Sequence, residues 1–343
     1  MPRKSSKKPA EFSVGGQAII EGVMMRAGGH WSMAVRRKSG EIYSDVWPVD
    51  SFVEHHPWLK KPFLRGFFVL VDTMVLGFKA LQKSADIALE DIEEELRAEE
   101  AAAAAEGGEE ALETVLADEE QVEKIEEEKK VINAKWVMIP SLILGLGFFI
   151  VLFILLPTWI TPSLTGGRQN VNRIFFNLVE GLLRLGVFML YLLLVSLIKD
   201  IRRFFQYHGA EHKSIHVWEH GLPLEPESAR QMGTAHVRCG TGFLLLTLVL
   251  TILIYSVVPI TTLWLRVVSR IVLLPFVAGI SYEIIKLADK HRKSLLIQAI
   301  VAPGLWLQKL TTRQPDDEQV EVAMQALRVV LEAEGKITQN GES

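Results

Sequence analysis

Four long apolar runs govern what this chain can become: residues 137–160, about 174–198, about 241–260 and about 267–287. Each can cross a hydrocarbon core, which takes roughly 20 apolar residues in a helix. Backbone in lipid must satisfy its own hydrogen bonds, so helices are the expected form. The sequence therefore predicts a mainly α fold, a membrane helical bundle of about four transmembrane helices, the first two within 136–198 and the other two within 241–287.

Length alone, 343 residues, would allow two soluble domains, but the hydrophobic 49% is too clumped for that. A single cysteine, Cys239, excludes an internal disulfide framework and fits a reducing face of the membrane. The basic N-terminus leads into Glu11 to Gln17 rather than an apolar stretch, so no secretory signal is expected and the long helices must direct insertion. Orientation follows from the basic flanks. Lys129, Lys130 and Lys135 precede the first run; Lys199, Arg202, Arg203 and Lys213 follow the second; Lys286, Lys290, Arg292 and Lys293 follow the fourth. The other two connections hold Arg168 with Arg173, and Arg266 with Arg270. Both termini and the 199–240 loop are thus expected on the cytoplasmic side of the membrane.

The remaining segments divide by composition. Residues 1–61 read as a cytoplasmic β-containing unit, because 33–38 and 42–47 flank the turn Ser39-Gly40 in hairpin fashion. Residues 62–89, apolar with interspersed Arg65, Asp72, Lys79 and Lys83, suggest an interfacial amphipathic helix. Residues 90–135 form an acidic low-complexity arm: within 90–130, eighteen Asp and Glu face four Lys and Arg, a balance of −14 in a chain of net charge −4. The bland reading of such a run is a solvated insertion; the functional one is a tether for a protein partner. The basic remainder suits anionic membrane lipids, and no nucleic-acid-binding motif accompanies it. Residues 288–343 should be cytoplasmic: 295–310, interrupted by Pro303-Gly304, lies in or dips into the interface, and 316–333 is an amphipathic helix. Its apolar face, with Val320, Ala323, Met324, Leu327, Val330 and Leu331, needs a partner in cis or in trans. Homo-oligomerisation stays open.

Chemistry concentrates in 199–240. Five of nine histidines lie between 208 and 236, and His208, His212, His216 and His220 recur every fourth residue, one stripe on a helix. His208, Glu211 and His212 match H-x-x-E-H, in which two histidines grip zinc and the glutamate acts as general base. His208 and His216 would sit about 12 Å apart along the axis, whereas Zn–N bonds are about 2.1 Å. The stripe therefore supplies two ligands to one ion, and Glu211 favours the pair His208 and His212. The helix should end near Gly221-Leu-Pro223, with a short helix from Glu225 returning the chain toward the membrane and delivering His236 and Cys239. These could complete a three- or four-ligand site. The competing reading has the histidines lining a basic interface and bonding headgroups or backbone.

Two carboxylates sit within apolar runs, where charge is costly. Glu180 and Arg184, four apart, are expected to pair structurally. Glu283, in GISYEIIK, is expected either as a metal ligand or neighbouring carboxylate reaching the histidine loop, or as an interfacial partner of Lys286. The glycine-rich run 14–26, with polar Gln17, Glu21 and Arg26, lacks the Gly-Lys-Ser/Thr ending of a phosphate loop. It could pack on the histidine loop and bring Glu21 to it, or be a strand.

Five ordered motifs, GGQAIIEGVMMR (15–26), FQYHGAEHK (205–213), HVRCGT (236–241), AGISYE (278–283) and PGLWLQKLTT (303–312), together resemble the YqhQ family of uncharacterised bacterial multi-pass membrane proteins. The resemblance implies a plasma-membrane protein described as a predicted metal-dependent enzyme, with His208, Glu211, His212, His236 and Cys239 at motif positions. Val237 departs from it, a proline being usual there, which predicts a looser turn before Cys239.

Two functions follow as expectations. One is a zinc-dependent membrane hydrolase in which His208, His212 and one of His236, Cys239 or Glu283 bind the metal and Glu211 activates water, the substrate being lipid-linked or membrane-proximal. The other is a non-enzymatic scaffold or assembly factor that recruits partners through the acidic arm or the C-terminal helix, with a structural His/Cys cluster. A transporter is weaker, since the crossings show little internal repetition.

Overall fold

A computed structural model describes residues 12–105, 135–167, 171–257, 263–291 and 293–338. The acidic arm beyond residue 105, and the basic flanks Lys129, Lys130, Arg168 and Arg292, lie outside the described residues.

The N-terminal unit is a four-stranded antiparallel meander, β1 (Val14–Ile19), β2 (Gly22–Ala27), β3 (His30–Arg36) and β4 (Ile42–Pro48), in sequential order. The expected β3–β4 hairpin is present, pairing Val35 with Tyr43 and Met33 with Asp45, and Gly40 turns it at φ 89°. Strands β1 and β2 extend it beyond the sequence expectation. Their apolar residues do not alternate with polar ones because both faces of the sheet are covered. Ala18, Val23, Met25 and Ala34 face one core, Ile19, Met24, Met33 and Val35 the other.

After a short α1 (Phe52–His55), helix α2 (Arg65–Ala105) covers the second face with Leu76, Ala80 and Ile87. It does not stop where composition changes at residue 89, because the Glu, Ala and Leu that follow are good helix formers. Met74, Val75 and Phe78 stay exposed on its other side.

The apolar part begins with α3 (Lys135–Ile150), a five-residue π segment (Val151–Leu155) and α4 (Leu156–Thr165). Pro157 has no N–H for the Phe153 carbonyl, and Arg184 fills the gap with an Nε donor at 2.8 Å. Arg184 also pairs with Glu180 at 2.9 Å, as their spacing predicts, and Thr158 donates to Glu180 at 3.0 Å. These bonds tie α4 to α5 (Arg173–Val195). Three helical segments among the described residues are long and apolar enough to cross a membrane: Ile143–Thr165, Arg173–Val195 and Gly240–Val257.

Helix α6 (Lys199–Glu219) leads through α7 (Pro226–Arg230) into α8 (Gly240–Val257), α9 (Leu263–Lys290), α10 (Leu295–Thr311) and α11 (Asp317–Ala333). Pro303 leaves α10 one continuous helix, and Gly304 packs where a Cβ would stand 3.1 Å from Gly242 Cα, so α8 and α10 approach backbone to backbone. A capping box joining Asp316 and Gln319 starts α11. Its apolar face finds its partner in cis: Val320, Ala323, Met324, Leu327, Val330 and Leu331 are buried with the first sheet core and α6 residues Tyr207, Ala210 and Val217. Helix α6 is thus held between the sheet, α11 and the loop that precedes α8.

Candidate metal centre

Helix α6 carries the histidine stripe and ends as its sequence predicts. Gly221 adopts φ 65°, Leu222 N–H donates to the Val217 carbonyl and Gly221 N–H to the Trp218 carbonyl, a Schellman closure. The chain then doubles back through α7 and lays 234–239 along the stripe. Cys239 N–H donates to the His236 carbonyl at 3.3 Å, so this turn closes with Val237 in place of proline.

The returning segment splits the stripe into two groups. His208, His212 and Cys239 bring their ligand atoms within 4.8 Å of one another, and His216, Glu219 and His236 do the same one turn further on. The stripe gives the first group the expected pair His208 and His212, but His236 stands with His216, its ring centroid 4.8 Å away, rather than completing that group. Its ring lies 5.8 Å from that of His212.

Hydrogen bonds distinguish the groups. In the first, His208 Nδ1 lies 2.9 Å from the Thr311 carbonyl and His212 Nδ1 lies 2.6 Å from the Thr234 carbonyl. A carbonyl only accepts, so both Nδ1 atoms carry the hydrogen, and in the neutral rings Nε2 keeps its lone pair. Such carbonyl partners orient metal-binding histidines. His208 Nε2 is 3.4 Å from Cys239 Sγ, close to the about 3.5 Å between ligand atoms implied by tetrahedral zinc bonds of about 2.1 Å to nitrogen and 2.3 Å to sulfur.

In the second group His216 gives its Nε2 hydrogen to the Ala235 carbonyl at 2.9 Å, and the His236 ring has both nitrogens engaged. Arg238 N–H donates to His236 Nδ1 at 3.2 Å, which leaves the hydrogen of the neutral ring on Nε2, 3.3 Å from Glu219 Oε1. That carboxylate oxygen also takes Arg238 at 2.6 Å, and Arg238 continues to Asp289 at 3.4 Å and the Val14 carbonyl at 3.2 Å. The second group is a closed network joining α6, α9 and β1.

Electrostatics follow this division. Burial alone would depress the His208 imidazole, but the hydrogen bond and charge of Cys239, with Glu211, push it up to about 9. Burial would raise the Cys239 thiol, yet His208 and His212 hold it well below the ordinary thiol range. Without an ion this is a thiolate–imidazolium pair, and the thiolate is the form that binds metal. Burial depresses His216 to about 4, so it stays neutral.

The other expected residues are placed as follows. Glu211 is 4% exposed, outside the ligand trio, with Oε2 3.9 Å from His208 Nε2. Strand β1 roofs it: a Cβ on Gly16 would stand 2.8 Å from Glu211 Cγ, so only glycine fits. The motif 14–26 thus does pack on the histidine helix, but Glu21 is held away from the trio by Arg203 and by the Tyr207 hydroxyl at 3.2 Å. Glu283 is not brought to the histidines. Both its oxygens bind Arg65, Nε at 2.6 Å and Nη2 at 2.5 Å, a fork that locks the start of α2 to α9. Gly279 and Gly66 at this crossing leave no room for a Cβ against Phe63 and Tyr282. His220 caps its own helix by bonding the His216 carbonyl.

Sequence reasoning missed Glu219, Arg238, Gln308 and the carbonyls of Thr234 and Thr311. Gln308 is 1% exposed and reads both backbone groups of His236, accepting from N–H at 2.7 Å and donating to the carbonyl at 2.9 Å. Its signal was available: a polar residue in the apolar PGLWLQKLTT motif.

A family model described as "Protein of unknown function (DUF1385)" matches residues 61–333. Over 342 residues, 98% of this chain and 97% of the relative, the sequence is 33% identical to "Uncharacterized protein YqhQ" of Bacillus subtilis (strain 168). No solved structure matches the chain.

Proposed function

For this chain, which belongs to the DUF1385 family, we propose a zinc-dependent hydrolase embedded in the bacterial plasma membrane, acting at the cytoplasmic surface on a lipid-linked or membrane-proximal substrate. The observation that carries the reading is the trio His208, His212 and Cys239, with both Nδ1 atoms bonded to carbonyls and both rings turned toward the Cys239 sulfur, where an ion would displace the proton they share with it. Three protein ligands is the number used by catalytic zinc sites, whose fourth position takes water or substrate. A zinc ion held by these atoms supplies Lewis acidity. Glu211 is the carboxylate beside the trio, and its Oε2 is the atom that takes a proton from water there and returns it to the leaving group. Strand β1, by roofing Glu211, keeps bulk solvent from that carboxylate.

The three apolar helices support the membrane placement, and α9 supplies a fourth crossing in this proposal. The basic residues after α5 and α9 support a cytoplasmic placement of the histidine loop and both termini.

Purified full-length protein should carry one zinc per chain, and the double variant His208→Ala, His212→Ala should carry none. Folded wild-type protein without metal would overturn the reading. A scaffold is the competing reading, favoured by the closed Glu219–His236–Arg238 network, which has a purely structural use. Complementation of a deletion strain separates them: Glu211→Gln fails if the protein is a hydrolase, whereas a scaffold tolerates it and fails when residues 90–130 are removed.

A further inference from the structure

An apolar crevice runs between α8, α9 and α10, walled by Leu245 and Val249, Ile285 and Val301, and bordered by Val237 and Gln308. It exists because Gly242 and Gly304 let α8 and α10 meet at their backbones, so the larger side chains on either side stand apart around a gap. Its volume is about 60 Å³, several times the roughly 10–15 Å³ that one water needs, so it has room for a length of hydrocarbon chain. Gln308 is the one polar side chain at its edge, and its amide is consumed by the His236 backbone on both sides. Water there would find few partners, whereas an aliphatic chain loses nothing.

The crevice also has a direction. The end toward the trio is bordered by Val237, between His236 and Cys239, and by Gly242, one helical turn beyond Cys239, about 5 Å of helix. Away from that end it reaches Ile300, 39% exposed on the outer face of α10. The surrounding outer faces of α8 and α9 are apolar too, with Leu244, Leu253, Val272 and Phe276 exposed.

We infer that this crevice seats one hydrocarbon chain of a membrane lipid and directs the lipid's polar end to the His208–His212–Cys239 trio, so that the substrate class of the site is lipid. The inference rests on the hydrolase reading for what happens at the trio; the seating of the chain stands on the crevice alone.

The test uses full-length protein in nanodiscs of phosphatidylglycerol and phosphatidylcholine, with a trace of phosphatidylcholine carrying a diazirine in its acyl chain. Photolabel should concentrate on peptides containing Val249, Ile285 and Val301. Val249→Trp should lower it there about tenfold, the equivalent of about 1.4 kcal/mol. Val301→Phe fills the same gap from the facing helix and serves if the first variant does not fold. Label spread over exposed positions such as Leu144, Phe148 and Leu190, unchanged by a crevice-filling variant, means annular lipid only and overturns the inference. Zinc content measured on the same samples keeps the two proposals separate: a labelled crevice in metal-free protein sinks the hydrolase and leaves the lipid seat, while dispersed label in zinc-loaded protein does the reverse.

Discussion

Two histidine groups stand one turn apart along α6, set out by the same helical repeat, yet the rings of His208 and His212 are bonded differently from that of His236. Around His208 and His212 the Nδ1 partners are carbonyls, which hold each ring with Nε2 toward the Cys239 sulfur. Around His236 the partners are an N–H and a carboxylate, which use both ring nitrogens. Residue type and spacing propose ligands; the donors and acceptors facing each ring decide which are available.

The sharpest way to break this contrast is metal content. The double variant His208→Ala, His212→Ala should lose all bound zinc, while His216→Ala, His236→Ala should retain it; equal loss in both would place a ligand in the second group. Next in size is packing at the first group. A Cβ on Gly209 would lie 2.1 Å from the Arg313 carbonyl, so Gly209→Val should destabilise the protein by about 3 kcal/mol and lower zinc occupancy, read by thermal denaturation and elemental analysis. Arg238→Gln removes charged bonds to Glu219 and Asp289 and should cost about 2 kcal/mol with zinc content unchanged, the mark of a structural network.

The remaining effect, confined to acid solution, is a pH dependence in the second group. Burial depresses His216 to about 4, against about 6.5 when unfolded. Its contribution is complete above the unfolded value and is lost as pH falls from about 6.5 toward about 4, because the unfolded state takes the proton first. His216→Gln should flatten the stability profile across that window, measured by denaturant midpoints at constant salt.

Much of this arrangement was legible beforehand. The H-x-x-E-H spacing, the Gly221 stop, the return of Cys239, the β3–β4 hairpin and the Glu180–Arg184 pair are local patterns, and local chemistry produces them. Strands β1 and β2 were less visible because burial on both faces removes the alternation that marks a strand. Glu283 was placed near the histidines by its expected depth, but depth says nothing about azimuth, and Arg65, 218 residues earlier, takes both its oxygens. Glu219 and Gln308 were missed because nothing in their own surroundings announces that they will meet His236.

By itself the sequence determined the apolar helices, the histidine stripe with its one-turn repeat, and the amphipathic face of α11, since hydrophobic periodicity and helix geometry act over a few residues. Only the tertiary structure decided that β1 covers Glu211, that α10 sends Gln308 to His236, and that carbonyls face His208 and His212. These depend on which backbone groups distant segments leave pointing at one another.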